Sequence, residues 1–511
     1  MKMAEPMTLS ELVQKLTPCA VVGPANAIVS ALHYDSRLVV PGSVFFALRG
    51  ALVDGHCYVD DALKRGAQAI VYEVERPLPS GVTGIRVDNA RRALAHAAAW
   101  FYGDPTADML VVGITGTNGK TTVSYLVEAL LADAGRRPAV IGTVNYRFEG
   151  QTLASSRTTP ESLDLTALAA RFRAAGADAL IMEVSSHALE QRRVDGIAFD
   201  LGVFTNLSPE HLDYHGDMEN YFLAKSRLFT GLGSRSPAKA VINIDDPYGM
   251  RLARCFPGAW SCGLKPPALV RPLDSRFSLE GIEARVTSPV GELELHSALR
   301  GEFNLSNLLC AASAGLVLGM SAESVASGLE AAPPVPGRLE PVDNDLGALI
   351  LVDYAHTADA LEKALKAVQG LEPRRLITLF GCGGDRDRSK RPKMGKVAAQ
   401  MSNLVVVTSD NPRSEDPGAI IAEIRPGLEA FFDGPLSPDR ARCRDDHGYV
   451  VVEDRRGAID FAVSLLEAGD LLLVAGKGHE DYQQIGEQWL HFDDRQELRR
   501  ALREREGCGG A

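Results

Sequence analysis

The chain has 511 residues, too many for one ordinary hydrophobic core and enough for about three domains. Hydrophobic residues make up 45% and charged residues 23%, the balance of a soluble globular protein, and a net charge of −12 argues against a general nucleic-acid binder, whose footprint is basic. The eight cysteines are scattered with no C-x-x-C pair, which suggests neither a zinc ribbon nor a disulfide framework and fits a reducing cytoplasm.

In chain order, residues 1–10 lack the apolar core of a signal peptide, and no later apolar run approaches the ~20 residues of a membrane helix. A cytoplasmic protein without a membrane partner is expected. Residues 1–106 read as a small α/β domain. Ser43-Val-Phe-Phe-Ala-Leu48 and Gly66-Ala-Gln-Ala-Ile-Val-Tyr72 are strands, with a helical segment at 58–64 between them. Asp35-Ser36-Arg37, Pro41-Gly42 and Asp54-Gly55 are turn signals at strand ends, and spacing alone allows plain turn chemistry for all three.

Residues 107–337 form the next unit, and it opens on Met109-Leu-Val-Val-Gly-Ile-Thr-Gly-Thr-Asn-Gly-Lys-Thr-Thr122. Residues 109–112 are a short apolar strand, and Gly113, Gly116 and Gly119 punctuate the turn that follows. Lys120, Thr121 and Thr122 open a helix whose Val123, Leu126, Val127, Leu130 and Leu131 recur at helical spacing. Such a strand, turn and helix N-terminus make an anion cradle, because backbone N–H groups and the helix dipole both favour phosphate. Lys120 would reach the outer phosphates of a nucleotide and the Thr121 hydroxyl would ligate Mg²⁺. The common form of this loop has a glycine five places before its Gly-Lys pair. Ile114 stands there, and the glycines recur every third residue instead.

Further on, Ala179-Leu-Ile-Met-Glu183 is a strand ending in a carboxylate, with Ser185, Ser186 and His187 just beyond. Leu201-Gly-Val-Phe-Thr205 is another, leading into a loop with His211 and His215. Alternating elements imply a mostly parallel sheet with helices on both faces, and ligands sit at the carboxyl ends of such strands. Glu183 and His211 are therefore candidate Mg²⁺ ligands beside the phosphate loop; spacing alone also allows His211 a loop or capping role. Lys225 lies in Tyr221-Phe-Leu-Ala-Lys-Ser-Arg-Leu-Phe229, which reads either as an amphipathic helix with solvated charges or as a helix burying a lysine able to lose its proton.

The last unit, 338–511, again alternates helices with strands, at 349–353, 376–380, 404–408 and 470–474. Its strand-end loops are polar: Asp353-Tyr-Ala-His356, Gly381-Cys-Gly-Gly-Asp-Arg386-Asp-Arg, Asp410-Asn-Pro-Arg413 and Gly476-Lys-Gly-His-Glu480. Two arginines, Arg386 and Arg413, suggest a ligand with carboxylates, unless they pair with Asp385, Asp387 or Glu415. The tail 507–511 is expected to fray.

Together, Gly113–Thr122, Glu183-Val-Ser-Ser-His187, the 206–216 loop, Asn304, Arg338 and Asp353-Tyr-Ala-His356 resemble the Mur ligases of peptidoglycan synthesis, over nearly the whole chain. Asp35-Ser36-Arg37, Asp410-Asn-Pro-Arg413 and Gly476-Lys-Gly-His-Glu480 resemble the branch that adds the third residue, meso-diaminopimelate. The resemblance implies three domains: a small N-terminal α/β domain for the UDP-sugar, a central P-loop ATPase-type sheet, and a C-terminal Rossmann-like domain for the amino acid. It implies an ATP site of Gly113, Thr115, Gly116, Thr117, Asn118, Gly119, Lys120, Thr121, Thr122, Asn304 and Arg338. UDP-MurNAc-L-Ala-D-Glu would be held by Tyr34, Ser36, Ala51, Leu52, Val53, Thr158, Thr159, Ser185, Gln191 and Arg193. Diaminopimelate would be held by Arg386, Asp410, Asn411, Pro412, Arg413, Gly476 and Glu480. Lys225 matches a lysine carbamylated by CO₂ in the family, so that Thr121, Glu183, His211 and carbamylated Lys225 would be metal ligands.

The implied chemistry is ATP-dependent amide ligation. The γ-phosphate passes to the D-glutamate γ-carboxylate, and the amine of diaminopimelate attacks the acyl phosphate while two Mg²⁺ ions, Lys120 and the helix N-terminus neutralise charge. Domain closure would exclude water, and a monomer is expected. Lysine-adding relatives lack the arginine matching Arg413. One departure from the family pattern is Ala358, where proline commonly follows Asp-Tyr-Ala-His-Thr; it reads as a neutral helix-start change. The rival readings are the L-lysine-adding counterpart, a folylpolyglutamate synthetase-like ligase, and a nucleotide switch without ligation.

Overall fold

The computed structural model describes residues 7–50, 53–155, 157–231, 237–278, 280–444 and 446–508. Packing divides the chain into two compact units: the stretch through Gly263 with Ser313–Met320, and Leu264–Ala312 with Ser321–Ala511.

The first unit holds two sheets. The smaller has strands β1 (Ala20–Val22), β2 (Ala31–His33), β3 (Ser43–Phe46), β4 (Ala67–Tyr72) and β5 (Thr83–Arg86), in the order β1-β5-β4-β3-β2. Only β1 is antiparallel to its neighbour. Every residue of β3 is buried: Val44 and Phe46 pack with Leu9, Leu12 and Leu94 on one face, and Phe45 packs with Val59 and Ile70 on the other. A strand covered on both faces reads as a continuous apolar run, which is why it was visible in the sequence.

The larger sheet comprises β6 (Leu110–Thr115), β7 (Pro138–Ile141), β8 (Asn145–Phe148), β9 (Gln151–Ala154), β10 (Ala179–Glu183), β11 (Leu201–Phe204), β12 (Lys239–Asn243) and β13 (Trp260–Cys262). Its order is β13-β12-β11-β6-β10-β7-β8-β9, parallel except for the hairpins of β8 and β9. The sequence placed Gly113 in the turn after the strand. Instead β6 continues through it to Thr115, with Gly113 paired to Met182 and Gly202. A Cβ at Gly113 would lie 2.7 Å from the Phe199 ring, so this glycine serves close packing on the sheet face.

The second unit begins with an antiparallel sheet of β14 (Arg271–Phe277), β15 (Ile282–Ser288) and β16 (Gly291–Ser297). Its larger sheet has β17 (Glu340–Pro341), β18 (Leu349–Asp353), β19 (Arg375–Phe380), β20 (Leu404–Val407), β21 (Gly448–Val451) and β22 (Asp470–Ala475), ordered β17-β18-β22-β19-β20-β21. All pairs are parallel except β17 with β18. Alternate residues feed two cores: Leu351, Phe380, Val405 and Leu473 on one face, Ile350, Leu379, Val406 and Leu472 on the other. A hairpin of β23 (Tyr482–Ile485) and β24 (Gln488–His491) follows. Gly507 and Cys508 close the last helix, Asp494–Cys508, where fraying was expected. That helix is anchored by buried Leu498, Ala501 and Leu502, and a packed helix propagates at little cost. Residues 509–511 lie outside the described residues.

Candidate active site

The adjacent strands β11, β6 and β10 deliver three strand-end loops to one edge of the first unit's larger sheet. After β6 the chain turns through Gly116 (φ 148°) to Gly119 (φ 87°), which starts the helix Lys120–Asp133 and has no side chain to cap it. A Cβ at Gly116 would lie 1.9 Å from Thr205 Oγ1. The loop after β11 holds this turn from outside. Asn206 Oδ1 accepts from the Asn118 N–H at 3.0 Å, and the Asn206 carbonyl accepts from the Thr117 N–H at 2.9 Å. Thr205 Oγ1 donates to the Asn118 carbonyl at 2.6 Å, while Thr117 Oγ1 accepts from the Ser208 N–H at 3.0 Å. The loop's shape is thus fixed by protein contacts. Thr115 and Thr122 are buried beneath it.

Lys120 Nζ folds back over the loop, donating to the Gly116 and Thr117 carbonyls at 2.9 and 2.8 Å. Lys225 Nζ approaches from the other side and donates to the same Gly116 carbonyl at 2.7 Å. Lys225 lies on the buried face of the helix Met218–Thr230 and is only 2% exposed, which removes the solvated-charge reading. Burial and the neighbouring Lys120 ammonium push the Lys225 amine well below the ordinary lysine range. A neutral amine is the form that adds CO₂.

Glu183, at the end of β10, is buried with its carboxylate spoken for: Oε2 accepts from Thr121 Oγ1 at 3.1 Å and Thr143 Oγ1 at 2.8 Å, and Oε1 accepts from the Thr143 N–H at 3.0 Å. His211 opens a short helical turn with φ 57°, and its side chain is 45% exposed. Its ring packs 4.9 Å from His187 and 6.2 Å from Tyr221, whose ring lies 4.7 Å from Lys225 Nζ. Among the described residues no three His, Cys, Asp or Glu side chains gather as a ready-made metal cage. The donor set still suits Mg²⁺, which takes hard oxygen ligands and keeps several waters: Thr121 and Glu183 offer such oxygens side by side. An ammonium cannot ligate a metal, so Lys225 fits that set only as a carbamate.

On the same side of the first unit, Thr159 Oγ1 donates to the Glu183 carbonyl at 2.8 Å, and Thr158 Oγ1 lies 3.1 Å from Thr143 Oγ1. Ser185 caps the helix Ser186–Glu190. Arg193 donates to the Thr159 carbonyl at 2.9 Å and to Gln191 Oε1 at 2.7 Å, and Gln191 Nε2 in turn donates to Tyr214 Oη at 3.1 Å. A cavity of about 520 Å³ opens at the smaller sheet, lined by Tyr34, Ser36, Arg37, Val53, Arg91 and Glu161 among others. Tyr34 Oη donates to Asp164 at 2.6 Å, and Arg91 donates to Glu161 at 2.6 Å. Ala51 and Leu52 lie outside the described residues. Asp35-Ser36-Arg37 is indeed a turn, capped by Asp35 and closed by its ion pair with Arg37.

In the second unit, β22, β19 and β20 lie side by side and bring together the loops at 381–388, 410–413 and 476–480. Asn411 Nδ2 donates to Glu480 at 2.8 Å, and buried Lys477 donates to Asn411 Oδ1 at 2.9 Å while sitting 3.3 Å from Asp410. Burial and the Asp410 carboxylate push Glu480 up to about 7. Arg413, in the left-handed region with φ 52°, is held by β23: its N–H donates to the Gln484 carbonyl and its carbonyl accepts from the Gly486 N–H. Arg413 Nη1 donates to the Gly384 carbonyl at 2.6 Å, and exposed Arg386 donates to the Asp385 carbonyl. Among the described residues neither arginine forms an ion pair; Glu415 is taken by the buried Arg391. Pro412 is buried in the same loop, and Gly476, with φ 116°, starts the neighbouring one. Elsewhere in this unit, Asn304 is fully buried, accepting from Asn307 and donating to the Arg300 carbonyl, and Arg338 lies 5.1 Å over the Tyr354 ring. Ala358 is the first residue of a helix capped by Thr357, a position that needs no proline.

Three family models match the chain in succession: the Mur ligase family catalytic domain over 28–102, the Mur ligase middle domain over 114–315, and the Mur ligase glutamate ligase domain over 337–478. The chain belongs to the Mur ligase family. Among similar proteins is a Geobacter metallireducens protein named UDP-N-acetylmuramoyl-L-alanyl-D-glutamate–2,6-diaminopimelate ligase, 51% identical over 98% of this chain and 99% of its own. The Geobacter sulfurreducens protein of that name is 48% identical over 97% of this chain and 99% of its own. A solved structure of a protein with the same name superposes with a TM-score of 0.70 at 32% identity, covering 98% of this chain and all of the other.

Around the sites of this Mur ligase are residues that sequence reasoning passed over. Thr143 makes two hydrogen bonds to Glu183, and its signal was available: a polar residue just past the end of β7, beside β10. Lys477 sat inside a quoted motif without a role. Arg91, Glu161 and Asp164 lie far in sequence from Tyr34, and nothing local marked them.

Proposed function

We propose that this Mur ligase adds meso-diaminopimelate to the D-glutamate γ-carboxylate of UDP-MurNAc-L-Ala-D-Glu at the expense of ATP, through an acyl phosphate. The observation that carries the reading is full-length identity of 51% to a protein named for that reaction. Arg413, which forms no ion pair among the described residues and lies close enough to Glu480 for its charge to be felt there, supports it, since a second carboxylate on the amino acid needs a cation of its own.

In this account residues 1–106 bind the UDP-sugar, 107–337 bind ATP and 338–511 bind the amino acid. The phosphate loop, Gly113 and Thr115 to Thr122, holds ATP, with Asn304 and Arg338 touching the nucleotide. Lys120 leaves its loop carbonyls for the transferring phosphate. Tyr34, Ser36 and Ala51 to Val53 take the UDP-sugar; Thr158, Thr159, Ser185, Gln191 and Arg193 take the muramoyl-dipeptide. Thr121, Glu183, His211 and Lys225 as its carbamate would hold Mg²⁺, which supplies positive charge against the phosphoryl oxygens when bound. Arg386, Asp410 to Arg413, Gly476 and Glu480 orient diaminopimelate, Glu480 accepting its ammonium and Arg413 its carboxylate. The attacking amine expels phosphate from the tetrahedral adduct. The enzyme acts as a cytoplasmic monomer.

The test is phosphate release from ATP with each co-substrate left out in turn. Release that requires both the muramoyl-dipeptide and diaminopimelate supports the ligase. Release with ATP alone would indicate a nucleotide switch, and release only with folate and glutamate the folate-type ligase.

A further inference from the structure

Two of the three loops assigned to diaminopimelate, 410–413 and 476–480, share a support that no sequence motif marks. Arg455, the first residue of the helix Arg455–Leu465, is fully buried. Its Nε and Nη2 donate to the two carboxylate oxygens of Asp494 at 2.8 and 2.7 Å. Asp494 is itself fully buried at the start of the last helix. The remaining reach of the guanidinium goes to two backbone carbonyls: Nη1 donates to Ser409 at 3.3 Å and Nη2 to Ala475 at 3.1 Å.

Those two carbonyls belong to the residues immediately before Asp410 and Gly476. They lie at the ends of β20 and β22, which are not neighbours; β19 runs between them. Hydrogen bonds of the sheet therefore set the spacing of these two loops only through a third strand; the direct bonds Asn411–Glu480 and Lys477–Asn411 join their tips, and Arg455 ties their bases through one side chain. The tie is planar and forked, a geometry that a lysine ammonium cannot reproduce. Asp410 also feels it electrostatically. Burial opposes ionisation of Asp410, yet Lys477 and then Arg455 hold its carboxyl below the usual range.

We propose that Arg455, oriented by Asp494, is a positioning residue for amino-acid binding: it sets the separation of the 410–413 and 476–480 loops and hence their fit to diaminopimelate. The proposal rests on the assignment of those loops to diaminopimelate. It differs from a purely stabilising ion pair in one respect, that loss of the fork weakens one substrate and leaves the other two alone.

The experiment compares Arg455→Lys, which keeps the charge and loses the fork, with Asp494→Asn, which keeps the shape and loses the orienting anion. Steady-state kinetics are measured on the full chain against each substrate. In Arg455→Lys the KM for diaminopimelate should rise at least about tenfold, with the KM values for ATP and the muramoyl-dipeptide within about twofold and kcat within about threefold. Asp494→Asn should move the same constant in the same direction by less. A uniform fall in kcat with all three KM values unchanged, unchanged kinetics throughout, or insolubility of both variants would overturn the proposal. Arg413→Ala in the same assay separates the premises. If it leaves the KM for diaminopimelate unchanged, the loop assignment fails; if it raises that KM while Arg455→Lys does not, only the positioning role fails.

Discussion

Truncating Arg413 to alanine removes the cation assigned to the second carboxylate of diaminopimelate, and the structure fixes how much should be lost. Among the described residues the guanidinium makes one hydrogen bond, to the Gly384 carbonyl, and no ion pair, so most of its donors are open to a ligand. Removing one member of a desolvated carboxylate–guanidinium pair costs about 2–5 kcal/mol, and the half-buried setting of Arg413 argues for the lower part of that range, about 2–3 kcal/mol. At about 1.4 kcal/mol per tenfold, kcat/KM for diaminopimelate should fall about 30- to 140-fold. Stability should change by only about 1 kcal/mol, the worth of one hydrogen bond, because both backbone contacts to β23 survive truncation. The assay is amino-acid-dependent phosphate release with diaminopimelate and with L-lysine. Lysine lacks the second carboxylate, so its low kcat/KM should stay the same and the preference between the two should collapse. A variant whose kcat/KM for diaminopimelate stays within about threefold of the parent would refute the role.

Four further outcomes follow from the same geometry. Lys225→Ala should abolish ligation at all bicarbonate concentrations; full activity would remove the carbamate. Glu480, raised to about 7 by burial and Asp410, must ionise to accept an ammonium, so the KM for diaminopimelate should fall as pH rises from about 6 to 8 and be flat and high in Glu480→Gln. Because its folded pKa is raised, Glu480 favours the native state below its unfolded pKa, and urea titrations should find that contribution lost between about 4.5 and 7. Gly142→Ala would place a Cβ 2.5 Å from Glu183 Oε1, so it should raise the Mg²⁺ concentration needed for half-maximal rate with circular dichroism unchanged; an unaltered Mg²⁺ dependence would separate Glu183 from the metal.

Much of this fold was legible because its strands are covered on both faces. Continuous apolar runs such as Leu110–Val112, Ala179–Met182 and Leu471–Val474, bounded by turn signals and too short for a helix, read as buried strands. The polar loops following them were equally plain, since a parallel sheet collects its strand ends on one edge. Gly113 was misread because a glycine serving ring packing against Phe199 looks, in sequence, like one serving a turn. Burial of Lys225 was not legible: Tyr221, Phe222, Leu228 and Phe229 surround it in sequence, but which helical face meets the sheet is a tertiary fact. The same holds for Arg455 and Asp494, two charges 39 residues apart whose mutual neutralisation appears only when two helix starts meet. Glu161 and Asp164 were silent for that reason too, each meeting a partner 70 or 130 residues away in sequence.

Residues 338–511 are proposed to select an amino acid with two carboxylates. The most direct test of that selection offers the protein equimolar meso-diaminopimelate and L-lysine with ATP, Mg²⁺ and UDP-MurNAc-L-Ala-D-Glu, and weighs the products by mass spectrometry. The expected product is heavier than the muramoyl-dipeptide by diaminopimelate less one water, with the lysine adduct a minor species. A predominant lysine adduct would contradict the proposed selection.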